Sequence, residues 1–246
     1  FYGKCNQGLA FGSEIKVVLA SRGVDTDLDE QAFSEYLWYG NSYGDRTFYK
    51  GVRSLKPGHW LIIENGIQTI DKWWSVEDWL MDYPLASDST QAALLTREAA
   101  DFAVNRQLVA DVPVGLFLSG GVDSSTIAAS ALHSGSVSLQ SFSAGFDYEH
   151  GVNELPKAAC VASHLGLKHN ELVVSGTDLQ SVIYKLVQAH DEPFADAANI
   201  PLFLMCEQLQ SKVKVVLQGD GGDELFAGYR RYSLLRNSRF WRFFPK

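Results

Sequence analysis

From about residue 90 onward, short apolar segments of the sequence alternate with stretches of helical spacing. The apolar segments lie near residues 114–118, 138–144, 170–174 and 213–217. Such short, apolar strands are typical of parallel strands buried on both faces, and parallel neighbours need a helical crossover between them. The alternation therefore predicts an α/β fold with a doubly wound parallel sheet, and it restricts the fold more than any other feature of the chain.

The first 75 residues follow a different pattern, in which short strands and helices are mixed. Two apolar segments, 60–64 and 67–70, flank Asn65-Gly66. Asn-Gly in this position is a strong signal for a β-hairpin with a type I′ turn. Around residues 76–90 the sequence becomes acidic and polar, as linkers often are. We therefore predict two domains, an α+β domain over residues 1–80 and the parallel-sheet domain over residues 88–246.

Charge and composition narrow the classes of function. The chain has 246 residues and a net charge of −8, which argues against nucleic acid or an anionic membrane surface as a partner. No apolar run reaches the ~18 residues of a membrane span, and Cys5, Cys160 and Cys206 do not form a disulfide framework. We expect a cytoplasmic protein with no membrane partner. Because the sequence begins at Phe1 and ends in an aromatic cluster, we also expect a fragment of a longer protein.

Residues 116–125 read Leu-Phe-Leu-Ser-Gly-Gly-Val-Asp-Ser-Ser and follow the first predicted strand of the sheet. An ordinary turn needs a glycine but does not need several hydroxyls and a carboxylate beside it. Bare glycines let backbone N–H groups approach a phosphate, hydroxyls donate further hydrogen bonds, and a helix N-terminus attracts the anion. The segment predicts a phosphate-binding loop, and a tight structural turn with incidental serines is the alternative.

A second glycine-rich loop follows the last predicted strand and reads Gln-Gly-Asp-Gly-Gly-Asp-Glu over residues 218–224. In open parallel sheets, ligands bind beyond the carboxyl ends of strands where the strand order reverses. If the two strands are neighbours, carboxylates lie beside a phosphate cradle and would repel the ligand. A Mg²⁺ ion shared between carboxylates and phosphates removes this conflict. The two loops together predict a site for a magnesium nucleotide.

The first loop is neither a Walker loop nor a Rossmann loop, because it lacks both Gly-Lys-Ser/Thr and the Gly-x-Gly-x-x-Gly spacing. Its Ser-Gly-Gly-Val-Asp-Ser pattern resembles the pyrophosphate loop of the N-type ATP pyrophosphatases. With residues 219–232, the chain resembles the glutamine-hydrolysing asparagine synthetase family. Residues 11–16 and 51–59 are similar to the later part of the family's glutaminase domain, and residues 164–169 and 191–196 also fit.

The resemblance implies a sheet of the ATP-pyrophosphatase type, preceded by the C-terminal part of an Ntn-type glutaminase domain. It also implies a reaction that uses ATP and Mg²⁺. A carboxylate, aspartate in the family, attacks the α-phosphate of ATP and becomes an acyl-adenylate, releasing pyrophosphate. Ammonia from glutamine then displaces AMP, so that the products are asparagine, AMP and pyrophosphate.

The resemblance also assigns the candidate site residues. Asp220 and Glu224 are the candidate catalytic residues, although Glu224 is equally well explained as a favourable charge at a helix N-terminus. Asp123 and Asp223 are the candidate Mg²⁺ ligands. The candidate nucleotide-binding residues are Phe117, Ser119, Gly120, Gly121, Val122, Asp123, Ser124, Ala144, Gln218 and Gly219.

The sequence departs from the family pattern in three places. The family's N-terminal cysteine nucleophile would precede Phe1, and a phosphate-contacting lysine would follow Lys246. Near residues 193–196, the chain lacks the Thr-Thr and Arg that many members carry. We therefore expect the chain alone to lack full activity. Three alternatives stay open: an amidotransferase for another acid, a relative that forms a β-lactam, and a nucleotide-binding module without catalysis. A homodimer is also open.

Overall fold

The computed structural model describes residues 1–80, 86–133, 135, 139–146, 153–174, 179–196 and 198–236. The chain divides into two compact units, Phe1–Leu85 with Thr177–Phe203, and Ala86–Gly176 with Leu204–Lys246. The predicted domains, 1–80 and 88–246, stay a prediction. The main difference between them and the two units is that Thr177–Phe203 lies with the first unit. Part of the predicted boundary, residues 81–85, and the C-terminal residues 237–246 lie outside the described residues.

The strands and the helices of the described residues are each numbered in chain order. The strands are β1 (Tyr2–Cys5), β2 (Gly8–Phe11), β3 (His59–Glu64), β4 (Ile67–Lys72), β5 (Val114–Phe117), β6 (Gln140–Phe146), β7 (Lys168–Val174) and β8 (Val215–Leu217). The helices are α1 (Ile15–Leu19), α2 (Glu30–Tyr39), α3 (Val76–Leu80), α4 (Ser89–Gln107), α5 (Val122–His133), α6 (Leu155–Leu165), α7 (Leu179–His190), α8 (Asn199–Leu209), α9 (Gly222–Phe226) and α10 (Arg230–Arg236).

The first unit contains two antiparallel hairpins, β1–β2 and β3–β4. The predicted type I′ turn is confirmed, because Asn65 and Gly66 both have positive φ, 52° and 78°, between the paired ends of β3 and β4. The core of this unit forms where α1 packs on the first hairpin and buries Ile15, Val18 and Val52. These three side chains are at most 1% exposed, so burial of apolar surface holds α1 in place.

The second unit contains a four-stranded parallel sheet in the order β7-β6-β5-β8, which confirms the predicted α/β fold. The chain adds β6 and then β7 on one side of β5, and afterwards returns to add β8 on the other side. The strand order therefore reverses between β5 and β8, which is where ligands bind in sheets of this kind. The two strands pair in register, with Val114 opposite Val215 and Leu116 opposite Leu217.

The core of the second unit joins β5 to α5 and α6. Leu116 and Leu118 are at most 2% exposed, and Ala128 and Ala158 are fully buried. Alanine at these helix positions allows the helix backbone to approach the sheet closely. In the part of the chain that the structure describes, every helix is too short or too polar to cross a lipid bilayer.

Candidate functional site

The loop between β5 and α5 is a tight turn that only glycine allows at its third position, Gly120. Gly120 has φ of 75°, and a Cβ atom there would lie 2.7 Å from Cβ of Lys157 and 2.8 Å from the backbone nitrogen of Ala158. A side chain at this position would therefore be strained and would also collide with α6. The turn delivers the N-terminus of α5 to the edge of the sheet where the strand order reverses.

Hydroxyl groups hold this loop together from inside. The Ser124 hydroxyl accepts a hydrogen bond from the Ser119 N–H at 3.3 Å, donates to the Gly121 carbonyl at 3.3 Å, and lies 3.0 Å from the Ser119 hydroxyl. The Ser119 hydroxyl also accepts from the Gly121 N–H at 3.2 Å. Ser124 is only 8% exposed. Its hydroxyl therefore braces the loop, while Ser119 lies at the surface of the turn.

The neighbouring strand fixes the end of β5. The Leu118 N–H donates to the Phe142 carbonyl at 2.9 Å, and the buried Ser143 hydroxyl donates to the Leu118 carbonyl. Sequence reasoning missed Ser143. The signal that could have found it is a serine in a strand whose residues after Gln140 are all apolar or small, since a buried hydroxyl needs a partner. The Ser125 hydroxyl oxygen is buried and has no hydrogen-bond partner among the described residues.

The loop after β8 contacts the loop after β5 directly. A Cβ atom on Gly219 would lie 2.9 Å from the Ser124 nitrogen and 3.1 Å from Cβ of Asp123. A Cβ atom on Gly222 would lie 2.5 Å from the carboxyl carbon of Asp123. The two glycines are therefore needed for the close approach of the loops. The sequence-based expectation that the two loops face each other is confirmed.

The acidic side chains of the second loop have separate partners. Asp220 accepts a hydrogen bond from the Gln218 side-chain amide at 2.6 Å, and Glu224 accepts one from the Tyr229 hydroxyl at 2.7 Å. The Tyr229 hydrogen bond, with a smaller effect from Arg231, holds the pKa of Glu224 below its usual value. The same bond raises the pKa of Tyr229. Glu224 is therefore held as a carboxylate, which can accept a proton but cannot donate one.

Most of the predicted nucleotide-binding residues lie in these two loops, and two lie on the strands beside them. Phe117 is the last residue of β5, where its side chain packs against the buried cluster of Phe142, Leu172 and Leu209. Ala144 lies on β6 opposite Leu172 of β7. Tyr229 and Arg231 were not predicted as site residues, and the Arg231 guanidinium lies 4.3 Å from the centre of the Tyr229 ring.

The donor set at the contact of the loops fits a magnesium ion only in part. The described residues contain no group of three or more His, Cys, Asp or Glu side chains that could hold a metal by themselves. The Asp123 carboxylate lies against Gly222, and Asp223 is the next residue along the chain. Mg²⁺ is bound in nucleotide sites by one or two carboxylates together with phosphate oxygens and water. The Asp123 carboxylate at this place fits an ion that arrives with a nucleotide, whereas the Asp223 carboxylate lies beside Gly228.

Two family models match the chain. The model described as asparagine synthase matches residues 95–245, and the model described as glutamine amidotransferase domain matches residues 1–74. Glutamine-hydrolyzing asparagine synthetase 1 of Bacillus subtilis strain 168 is 32% identical over 235 residues, which cover 94% of this chain and 36% of the relative. Synthetase 3 of the same strain is 31% identical over 245 residues, covering 93% of this chain and 39% of the relative.

A relative with a different name matches nearly as much of the chain. The protein named Amidase chyE of Penicillium rubens is 30% identical over 240 residues, which cover 90% of this chain and 34% of that protein. The chain thus spans between 34% and 39% of the length of these three relatives.

Proposed function

Because the chain belongs to the asparagine synthase family, we propose that it is part of an ATP-dependent enzyme that turns a carboxylic acid, aspartate in the first instance, into its amide. Ammonia would come from glutamine, since residues 1–74 match a glutamine amidotransferase domain. The observation that carries the proposal is the contact between the two glycine loops, in which Gly219 and Gly222 lie against Ser124 and Asp123. The contact supports the proposal because a phosphate-binding loop and carboxylates would then lie at one edge of the sheet.

The first step activates the carboxylate of the acid substrate. A carboxylate resists attack by ammonia, and its anhydride with a phosphoric acid carries a good leaving group. One oxygen of the substrate carboxylate attacks the α-phosphorus of ATP, and the bond to the β-phosphate breaks, so that pyrophosphate leaves. The backbone N–H groups around Gly120 and Gly121, the Ser119 hydroxyl and the N-terminus of α5 would bind the pyrophosphate.

Asp123 and Asp223 would hold Mg²⁺, which offsets the negative charge of the pyrophosphate when it is bound. Without a cation, these carboxylates would repel the phosphates that the first loop attracts. The remaining work of this chain is to position the nucleotide, with the nucleoside contacts assigned to Phe117, Ala144, Gln218 and Gly219. Positioning of this kind supplies a large part of the catalysis in phosphoryl and nucleotidyl transfer.

The second step is the attack of ammonia on the acyl carbon, with AMP as the leaving group. The attacking nitrogen must lose a proton, so a carboxylate near it assists the step. Glu224 is suited to this role because its hydrogen bond from Tyr229 keeps it ionised. The Asp220 carboxylate, which is bound to the Gln218 amide, is the second candidate.

A second candidate for the acid substrate has specific observations in its favour. A relative that matches 90% of the chain is named an amidase. Residues 193–196 lack hydroxyls and a cation that could bind an amino-acid carboxylate. Asp196 accepts a hydrogen bond from the Ala198 N–H at 2.9 Å, which occupies one of its oxygens near the start of α8. An enzyme that adenylates a different carboxylic acid is therefore the alternative.

The test is pyrophosphate release by the full-length protein with ammonia, Mg-ATP and a panel of carboxylic acids. We expect release that depends on one acid, with formation of AMP and the matching amide, and we expect aspartate to be that acid. Release with another acid and not with aspartate would support the alternative. Nucleotide binding without release for any acid would contradict the enzymatic proposal and favour a binding module.

A further inference from the structure

The short segment after α7 is bound to the first fifty residues of the chain. The Asp191 carboxylate accepts a hydrogen bond from the Lys16 backbone N–H at 2.9 Å, and its other oxygen lies 3.3 Å from the Lys16 ammonium. Lys16 is the second residue of α1, whose own N-cap residue, Glu14, makes no side-chain capping bond. Asp191 therefore caps α1 from 175 positions away in the sequence. Its side chain is only 10% exposed.

Glu192 makes the next bond to the same part of the chain. Its carboxylate accepts a hydrogen bond from the Phe48 N–H at 3.0 Å. Burial, with a further contribution from the Asp191 charge, raises the pKa of Glu192. A carboxylate that is half-buried and bound to a backbone N–H is more than a surface ion pair, because its removal leaves that N–H without a partner.

Two further hydrogen bonds complete the contact. The Tyr49 hydroxyl donates to the Asp191 carbonyl at 3.2 Å, and the Ala195 N–H donates to the Gly40 carbonyl at 3.0 Å. Asp191 itself has φ of 64°, a conformation that aspartate and asparagine tolerate better than most residues. We call Asp191, Glu192 and Ala195 with their partners the clasp. All of it lies within the first compact unit.

The two sides of the clasp match different families. Asp191, Glu192 and Ala195 fall within the residues that match asparagine synthase, 95–245. Their partners fall within residues 1–74, which match a glutamine amidotransferase domain. Ammonia that escapes into neutral water becomes ammonium, which has no free electron pair to attack an acyl carbon. A reaction that takes ammonia from glutamine therefore needs the two parts of the chain to be held in a fixed arrangement.

We propose that Asp191 and Glu192 are positioning residues that fasten the segment after α7, which falls within the synthase-matching residues, to the amidotransferase-matching residues, and so keep glutamine hydrolysis linked to amide formation. The coupling of the two reactions rests on the proposed function, whereas the attachment of the segment rests only on the hydrogen bonds described above. Neither residue touches the phosphate-binding loops in the described contacts. Their loss should therefore uncouple the two reactions and leave nucleotide chemistry in place.

The first experiment compares two nitrogen sources in the full-length protein. Asp191→Ala/Glu192→Ala removes both carboxylates, Asp191→Asn/Glu192→Gln keeps an acceptor oxygen at each position, and Glu64→Ala removes an exposed carboxylate of β3 as a control. We expect the alanine pair to lower glutamine-dependent pyrophosphate release by about tenfold, with ammonia-dependent release within about twofold of the unmodified protein. In the Asn/Gln pair, the ratio of glutamine-dependent to ammonia-dependent release should return most of the way to that of the unmodified protein. Equal loss with both nitrogen sources, or no loss, would overturn the proposed coupling.

The second experiment measures the fastening without any activity. Hydrogen exchange of the 246-residue chain reports the backbone amides of Lys16 and Phe48, which the two carboxylates accept from. We expect the alanine pair to speed exchange at both amides by at least about tenfold and to leave the Leu118 amide unchanged. Unchanged exchange at Lys16 and Phe48 would overturn the clasp. If the unmodified full-length protein makes no amide from either nitrogen source, the proposed function fails, and this second measurement still decides on the clasp.

Discussion

The two loops at the switch point of the sheet have similar glycine content but opposite chemistry. In the loop after β5, the side chains are hydroxyls that bind one another and the backbone, and Ser124 is buried. In the loop after β8, the side chains are carboxylates that bind single partners and stay in contact with solvent. We expect the first loop to bind an anion, and the second loop carries negative charge close to it. A ligand that combines a phosphate and a cation would suit both loops.

The comparison also shows what the glycines do in each loop. Gly120 is required by its positive φ and by the closeness of α6. Gly219 and Gly222 are instead required by the other loop, because a side chain on either would meet Ser124 or Asp123. Glycine in the first loop shapes the loop itself, whereas glycine in the second allows the two loops to touch. Substitutions can therefore separate the shape of each loop from the contact between them.

The largest effect is expected for Gly222→Ala. The new methyl group would overlap the Asp123 carboxylate and push the loops apart, at a cost of about 1–3 kcal/mol of folding stability. We expect the affinity for Mg-ATP to fall by about a hundredfold, because both loops lose their arrangement. Calorimetric titration of the variant with Mg-ATP measures this affinity.

The matched control is Gly221→Asn at the adjacent position. Gly221 has φ of 90° but no atom within 4 Å of an added Cβ, and asparagine tolerates positive φ better than most residues. This variant should keep most of the affinity. Equal affinities for the two variants would show that the contact between the loops is unimportant for binding.

A smaller effect is expected for Ser124→Ala, which removes the brace inside the first loop. The Ser119 N–H and the Gly121 carbonyl lose their partner, so the free energy of unfolding should fall by about 1–2 kcal/mol in urea titrations. The control is Thr126→Val, which removes an exposed hydroxyl that donates to the Val122 carbonyl on the same helix. If Ser124→Ala is no less stable than Thr126→Val, the brace has no structural role.

The smallest effect is expected for Tyr229→Phe, which removes only the hydrogen bond to Glu224. The pKa of Glu224 should rise toward its usual value, because the bond that favours the carboxylate is gone. The acidic limb of the pH–rate profile for amide formation should move to higher pH if Glu224 is the base. Tyr232→Phe is the control, since Tyr232 also lies beside Arg231. An NMR titration in which Glu224 keeps its pKa in Tyr229→Phe would refute the role of the bond.

The sequence predicted the fold well where local signals were strong. The Asn65-Gly66 hairpin and the parallel sheet are both confirmed. The two glycine loops were predicted to be adjacent if their strands are neighbours, and the pairing of β5 with β8 confirms this. These features depend on backbone conformation and on apolar patterning, both of which a single sequence displays.

The structure differs from the sequence-based interpretation where contacts between residues far apart in the sequence determine the position of a segment or the role of a side chain. The sequence does not show what α7 packs against, so the placement of residues 177–203 with the first unit could not be predicted. Residues 191–196 fit the family pattern, but nothing in the sequence shows that Asp191 and Glu192 have partners more than 140 positions away. For the same reason, the bracing role of Ser124 is invisible in a motif that marks it only as a phosphate-loop residue.

The central claim is that the two loops form one site for a magnesium nucleotide, and a double-mutant cycle tests it most directly. Mg-ATP is titrated calorimetrically into the unmodified chain, Asp123→Asn, Asp223→Asn and the double variant. If both carboxylates hold the same ion, each single substitution should lower the affinity for Mg-ATP by about tenfold or more. The affinity of the double variant should then be close to that of the single variant that binds Mg-ATP more weakly. Two independent, additive losses, or unchanged affinity in both single variants, would contradict the claim.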